Sequence, residues 1–273
     1  MARIAAVTVD VWRGGSRAAE PVSDTLGEMA KDGYDIWVIG GLVRDTLRQE
    51  VGGVAPVETK GDLDLTGSVP PGHFAEGVRE MVGRAELSIR FNPFSGVVAV
   101  SHEAAGSDRV LEYASLKGTN LGEGEAWTFS CDLAEDSEWR DLTINTLAYD
   151  WRAELIADPT GEGLDDVKTM TLRPPAKPKS RPGFRAHLLF RYLKFVRRWP
   201  DASLHAVRRV LQDEFVQFRE DVRMLSSPQL KALLKPFGTS QPAQIACVLA
   251  LGASLAPVCD WDEMFSDVIE GTA

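Results

Sequence analysis

The sequence predicts an α+β chain, with a mixed front of strands and helices over residues 1–178 and an all-helical back over 179–273. Three observations carry this. Short apolar runs ending in glycine or proline turns recur through the front. A proline-rich stretch, "PPAKPKSRPG" from Pro174 to Gly183, then interrupts the pattern. Beyond it, apolar residues fall at helical spacing in stretch after stretch.

In order along the front, the N-terminal "MARIAAVTVDVWRGG", with one early arginine and a short apolar stretch interrupted by Asp10, fits a strand better than a signal peptide. "DIWVIGG" is a buried strand entering a glycine turn, and "LVRDTLRQEV" a short helix with Leu42, Val43, Thr46 and Leu47 on one face. "DLDLTG" alternates as a strand does. "PPGHFAEGVREMVGR" opens a helix on proline. "GVVAVSHEAAGSDRVLEYASLKG" predicts a hairpin of two strands about a Gly/Ser/Asp turn. "WRDLTINTLAYDWRAELIADPTGEGLDDVKTMTLRPP" gives a helix, a short strand pair and a Gly-Asp loop. In the back, "FRAHLLFRYLKFVRRWP", "SLHAVRRVLQDEFVQFRE", "SPQLKALLKPF", "PAQIACVLALGASLA" and "DWDEMFSDVIEG" are helical.

Composition narrows the function. At 273 residues, 44% hydrophobic and 26% charged, the chain has the make-up of a soluble globular protein with a real core. It has no apolar run long enough for a membrane span. Cys131, Cys247 and Cys259 are too few and scattered for a disulfide framework or zinc site, which suggests a reduced cytoplasmic setting. A net charge of −10 argues against coating nucleic acid over the whole surface. Yet Arg173 to Arg223 holds 13 Lys/Arg against 5 Asp/Glu, either a solvated helix face or a local basic surface for phosphates.

Two motifs carry chemistry. In "DLDL", a period of two puts Asp62 and Asp64 on one strand face. Two adjacent carboxylates repel unless they share a cation, and hard oxygen ligands suit Mg²⁺, which takes its remaining ligands from water and nucleotide phosphates. A surface strand also carries D-x-D by chance. The Gly40–Gly41 turn leads into a helix N-terminus, whose free N–H groups and dipole favour anions, with Arg44 one turn in. The plainer alternative is a strand-to-helix turn with Arg44 paired to Asp45. No G-x-S-x-G elbow or G-x-x-x-x-G-K-[ST] loop is present, and His73, His102, His187 and His205 are dispersed.

Taken in order, "GGLVRD", "DLDL", "WRDLTINTLAYD" and "ADPTGEGLDDVKTMTLR" resemble the class II nucleotidyltransferase superfamily, which holds the CCA-adding tRNA nucleotidyltransferases and bacterial poly(A) polymerases. The resemblance covers about residues 34–195. It implies a head with a mixed or antiparallel five-stranded sheet and flanking helices, then a helical neck. It further implies that Asp62 and Asp64 hold Mg²⁺ while an acceptor hydroxyl attacks the α-phosphate of a nucleoside triphosphate, ATP or CTP, and pyrophosphate leaves. By position, Gly40, Gly41 and Arg44 are expected to bind the triphosphate, and Arg140 and Asp141 phosphate and ribose hydroxyls. Asn145 braces that element, and Asp158 and Gly161 belong to a structural link. Glu112 of "LEYASLK" stands where the superfamily often has a third acid, although an ordinary strand glutamate fits the position equally well.

The chain departs from the pattern in three places. Trp139 replaces the first of two arginines before Asp141. In the neck, Arg185 and Arg191 match the first and third arginines of the nucleotide-reading motif, but Pro182 takes the place of its aspartate and Leu188 that of the middle arginine. The helical back is also shorter than in CCA-adding enzymes. An RNA or tRNA 3′ end is the leading acceptor. A small molecule or protein acceptor, or a non-catalytic nucleotide- or RNA-binding relative, are the alternatives.

Overall fold

The computed structural model describes residues 3–6, 26–52, 63–82, 87–92, 96–102, 109–118, 130, 132–176 and 184–270. The chain divides into two compact units, 1–168 and 169–273. The expected boundary at residue 178 lies outside the described residues.

The first unit is built on one mixed sheet. Its strands are β1 (Arg3–Ala6), β2 (Ile36–Ile39), β3 (Leu63–Gly67), β4 (Leu87–Asn92), β5 (Val97–His102), β6 (Arg109–Ser115), β7 (Ala148–Asp150) and β8 (Leu155–Asp158), in the order β1-β8-β7-β2-β3-β6-β5-β4. Every neighbour pair is antiparallel except β3–β6, which is parallel. The fold class is the α+β arrangement expected, but among the described residues the sheet has eight strands rather than five. The difference has a physical source. The short β7–β8 hairpin docks on β2 through Val38 and Tyr149, and β1 continues the sheet from β8. β4, a stretch that sequence patterning left unassigned, adds the opposite edge.

Helices α1 (described over 26–31), α2 (Gly41–Gly52), α3 (Pro71–Val82), α4 (Leu133–Ser137) and α5 (Gly163–Thr169) complete the unit. Strand alternation decides which face each covers. On β6, Leu111, Tyr113 and Ser115 are buried while Glu112 is half-buried. Tyr113 stacks on Phe74 of α3, with ring centroids 3.9 Å apart and planes 7° from parallel. Its hydroxyl donates to the Val69 carbonyl at 2.6 Å, and burial pushes the phenol well above its usual value, so it stays protonated. Burying an aromatic of this size contributes about 1.5–3 kcal/mol. The face bearing Tyr113 is therefore core, and Glu112 points to the other side.

"WRDLTIN" forms no α-helix. Only a 3₁₀ turn appears, over Thr143–Asn145. Here Asp141 accepts from the Leu142 amide, Thr143 Oγ1 donates to buried Asp166 and Thr146 Oγ1 donates to the Thr143 carbonyl. Such short polar side chains compete with the helical ladder.

The second unit is helical: α6 (Phe184–Arg198), α7 (His205–Asp213), α8 (Phe215–Arg223), α9 (Ser227–Leu234), α10 (Gln241–Leu255) and α11 (Trp261–Glu270). The stretch "SLHAVRRVLQDEFVQFRE" is broken into α7 and α8 at Glu214, whose backbone leaves the helical region (φ −119°, ψ 21°). The core gathers Phe190, Tyr192, Phe218, Trp261 and Phe265. Gly252 on α10 lets the Trp261 indole lie against the helix, because a Cβ there would meet the ring at 2.3 Å. Among the described residues no helix is long and apolar enough to cross a membrane.

Candidate active site

Two groups of side chains converge on the Gly40–Gly41 turn. The first lies on the sheet face away from α3. Parallel pairing of β3 with β6 sets Asp64 directly beside Glu112, so the two carboxylates share that face on neighbouring strands. Antiparallel pairing with β2 sets Asp64 opposite Ile39, immediately before the turn. Gly40 then takes φ +79°, and a Cβ there would stand 2.6 Å from Asp64 Oδ2. The turn needs glycine for two reasons: the left-handed backbone and the closeness of the carboxylate. Asp62, the expected partner of Asp64, lies outside the described residues.

The N-terminus of α2 begins on this turn. Its first intrahelical bond runs from the Arg44 amide to the Gly40 carbonyl at 3.2 Å. The amides of Gly41, Leu42 and Val43 therefore precede the ladder, and no acidic side chain stands in the first turn.

The second group is a chain of polar side chains. Arg44 is 5% exposed and forks onto its neighbour Asp45, Nε to Oδ1 at 3.0 Å and Nη2 to Oδ2 at 3.1 Å. Its Nη1 donates to Asn145 Oδ1 at 2.7 Å. Asn145 Nδ2 donates in turn to Asp141 Oδ1 at 2.8 Å. Burial and this fork hold the Arg44 guanidinium on Asp45 and Asn145, and the pairing with Asp45 is the one the sequence offered beside its expected phosphate-binding role. Arg140 sits 21% exposed with Nε and Nη2 on Asp136 Oδ2, at 2.8 and 2.5 Å. Asp136 is itself buried and accepts the Lys117 amide through Oδ1.

Residues 36–173, half of the chain, match the poly(A) polymerase head domain family. The chain belongs to that family. It is 27% identical over 181 residues to the CCA-adding enzyme of Geobacillus sp. (strain WCH70), a match covering 65% of this chain and 40% of that one. It is 30% identical over 174 residues to poly(A) polymerase I of Escherichia coli O6:H1, covering 60% and 34%. Its fold is similar to that of the Bacillus stearothermophilus CCA-adding enzyme solved with CTP (TM-score 0.59, 22% identity, 91% of this chain and 56% of that one). The Thermotoga maritima CCA-adding enzyme complexed with tRNA is similar as well (TM-score 0.62, 17% identity, 93% and 56%). The chain spans only 34–40% of the length of these two curated relatives.

Within the family head, Gly40, Gly41, Asp64 and Glu112 come together. Arg44 and Asp141 are joined through Asn145, and Gly41 links the two groups: its would-be Cβ stands 3.6 Å from Arg44 Nη2. Arg185 and Arg191 belong to the helical unit. Arg185 Nε donates to Glu214 at 2.8 Å and its amide to Asp221 at 3.0 Å, while Arg191 is exposed on α6. One acid escaped sequence reasoning, Asp136, whereas the Arg44–Asp45 pairing was among the readings the sequence offered. The signal for Asp136 was there in its i, i+4 spacing to Arg140.

The link motif "ADPTGEG" folds as a capping turn. Asp158 is fully buried; Oδ1 accepts Thr160 Oγ1 at 2.9 Å and the Gly161 amide at 3.0 Å, and Oδ2 accepts the Leu164 amide at 3.0 Å. Gly161 supplies a φ of +73°. Replacing Asp158 with alanine leaves the buried Leu164 amide, the half-buried Gly161 amide and the Thr160 hydroxyl without this acceptor, so a loss of about 3 kcal/mol is expected in urea unfolding.

Proposed function

We propose that the protein is a Mg²⁺-dependent nucleotidyltransferase that moves a nucleoside monophosphate from ATP or CTP to an RNA or tRNA 3′-hydroxyl. The observation that carries this reading is the Asp64–Glu112 pair, set side by side by the β3–β6 register against a glycine turn opening a helix. Asp64 and Glu112 offer oxygen donors on this face that fit Mg²⁺, and Asp64 would hold the ion together with Asp62, which is assigned on motif position. When bound, the ion supplies charge neutralisation and polarisation of the α-phosphoryl group.

The chain's own groups divide the rest of the work. The amides at the start of α2, Gly41 foremost, donate to triphosphate oxygens, and Gly40 keeps that approach open. Arg140 faces phosphate and Asp141 the ribose. Glu112 accepts the proton of the attacking hydroxyl. The acceptor oxygen bonds to the α-phosphorus, the bond from that phosphorus to the bridging oxygen breaks, and pyrophosphate leaves with the electron pair. Arg185 and Arg191 are assigned to the nucleotide on motif position, and the setting is cytoplasmic.

The acceptor is tested by incubating the protein with each nucleoside triphosphate, labelled in the α-phosphate, Mg²⁺, and either tRNA lacking its 3′ end or a metabolite extract. Label on tRNA is the expected result. Label confined to small molecules overturns the RNA assignment and leaves the chemistry standing.

A further inference from the structure

We infer that Arg44 is a positioning residue, which acts on the nucleotide at one remove by orienting Asn145 and, through it, the Asp141 carboxylate. The inference rests on the proposed reading of Asp141 as the group that faces the ribose.

The bonding order leaves little freedom. A guanidinium only donates and a carboxylate only accepts, so the Asn145 amide that joins them has one satisfactory orientation, Oδ1 to Arg44 and Nδ2 to Asp141. The planar fork on Asp45 fixes the plane of the guanidinium, and with it the direction in which Nη1 points. Asp141 Oδ1 is then held from two sides, by Asn145 Nδ2 and by the Leu142 amide. A three-link chain therefore runs from Asp45 on α2, beside the glycine turn, to Asp141 at the 3₁₀ turn. What passes along it is geometry.

Energetics point the same way. Arg44 and Asp45 are 5% and 6% exposed, and a buried ion pair seldom stabilises a fold more than well-packed apolar side chains do. A buried fork is better suited to holding one arrangement than to lowering the folded-state energy. With Nε, Nη1 and Nη2 engaged on Asp45 and Asn145, the side chain serves this chain of contacts rather than solvent. Lysine keeps the charge but lacks the fork, so Arg44→Lys separates a geometric role from an electrostatic one.

The test compares KM and kcat for ATP and CTP with those for their 2′-deoxy counterparts, in the wild type, Arg44→Lys, Asn145→Ala and the double variant. The expected result is a wild-type preference for the ribonucleotide. Each single substitution should cut that preference about tenfold, the scale of one hydrogen bond to a charged group, with kcat on the deoxynucleotide little changed. The double variant should lose no more than the larger single one, because both break one chain. Equal rises in KM for ribo- and deoxynucleotide in Arg44→Lys, additive with Asn145→Ala, would show Arg44 acting on phosphate directly and overturn the inference. A wild type that makes no ribose distinction would instead overturn the reading of Asp141 and remove the basis of the inference. Should Arg44→Lys fail to fold in urea titration, Asp45→Asn loosens the same fork without changing Arg44. The same loss of ribose preference is expected from it, and an unchanged preference counts against the proposal.

Discussion

Replacing Asp64 with alanine is expected to lower nucleotidyl transfer by about a thousandfold while leaving the fold intact. Polarising the reacting phosphoryl group contributes several kcal/mol, and each 1.36 kcal/mol is about a factor of ten in rate. The same substitution should cost little stability. Asp64 and Glu112 are like charges on directly paired residues, an arrangement that is unfavourable to a sheet by itself. Removing one relieves the repulsion, so the urea midpoint should hold or rise slightly. A site that is unfavourable to the fold and needed for the reaction is the signature of a functional constellation. Transfer near the wild-type rate in Asp64→Ala, measured with the protein shown to be folded, contradicts the assignment.

Gly40→Ala is expected to act on both stability and rate. A residue with a Cβ at φ +79° costs about 1–2 kcal/mol, and that loss should appear in urea unfolding. The Cβ would also stand 2.6 Å from Asp64 Oδ2, so the carboxylate must move. Displacing a reacting-site group by about 1 Å costs on the order of a hundredfold in rate. Gly41→Ala is the informative comparison. Its Cβ would meet Arg44 Nη2 at 3.6 Å, ordinary van der Waals contact, and its φ is not positive. The larger defect should therefore belong to Gly40, and equal defects in the two variants would contradict this account of the turn.

Much of this site was legible before any coordinates. The two-residue alternation of "DLDL" predicts a strand that sends Asp64 to one face and Leu65 to the other, and Leu65 is indeed core. The "IGG" ending of an apolar run predicts the turn and the helix behind it. Glu112 was legible only through resemblance, because the register that sets it beside Asp64 joins strands nearly fifty residues apart and depends on parallel pairing. Arg44 shows the opposite limit. Its pairing with neighbouring Asp45 is visible in the sequence, but the contact that joins it to the Asp141 turn is to Asn145, 101 residues along the chain. Local pattern does not carry pairings at that distance. The extra strands have a similar cause. β7 and β8 are short, and their joining the main sheet rests on a single bridge between Val38 and Tyr149 rather than on their own patterning.

The central claim, transfer of a nucleotidyl group rather than phosphoryl transfer or hydrolysis, is tested most directly by following two labels. The protein is incubated with Mg²⁺, tRNA lacking its 3′ end, and ATP or CTP labelled in either the α- or the γ-phosphate. The account predicts α-label in the RNA and γ-label in pyrophosphate, with both signals lost in Asp64→Ala. Label from the γ-phosphate in the acceptor, or free orthophosphate as the main labelled product, would contradict it.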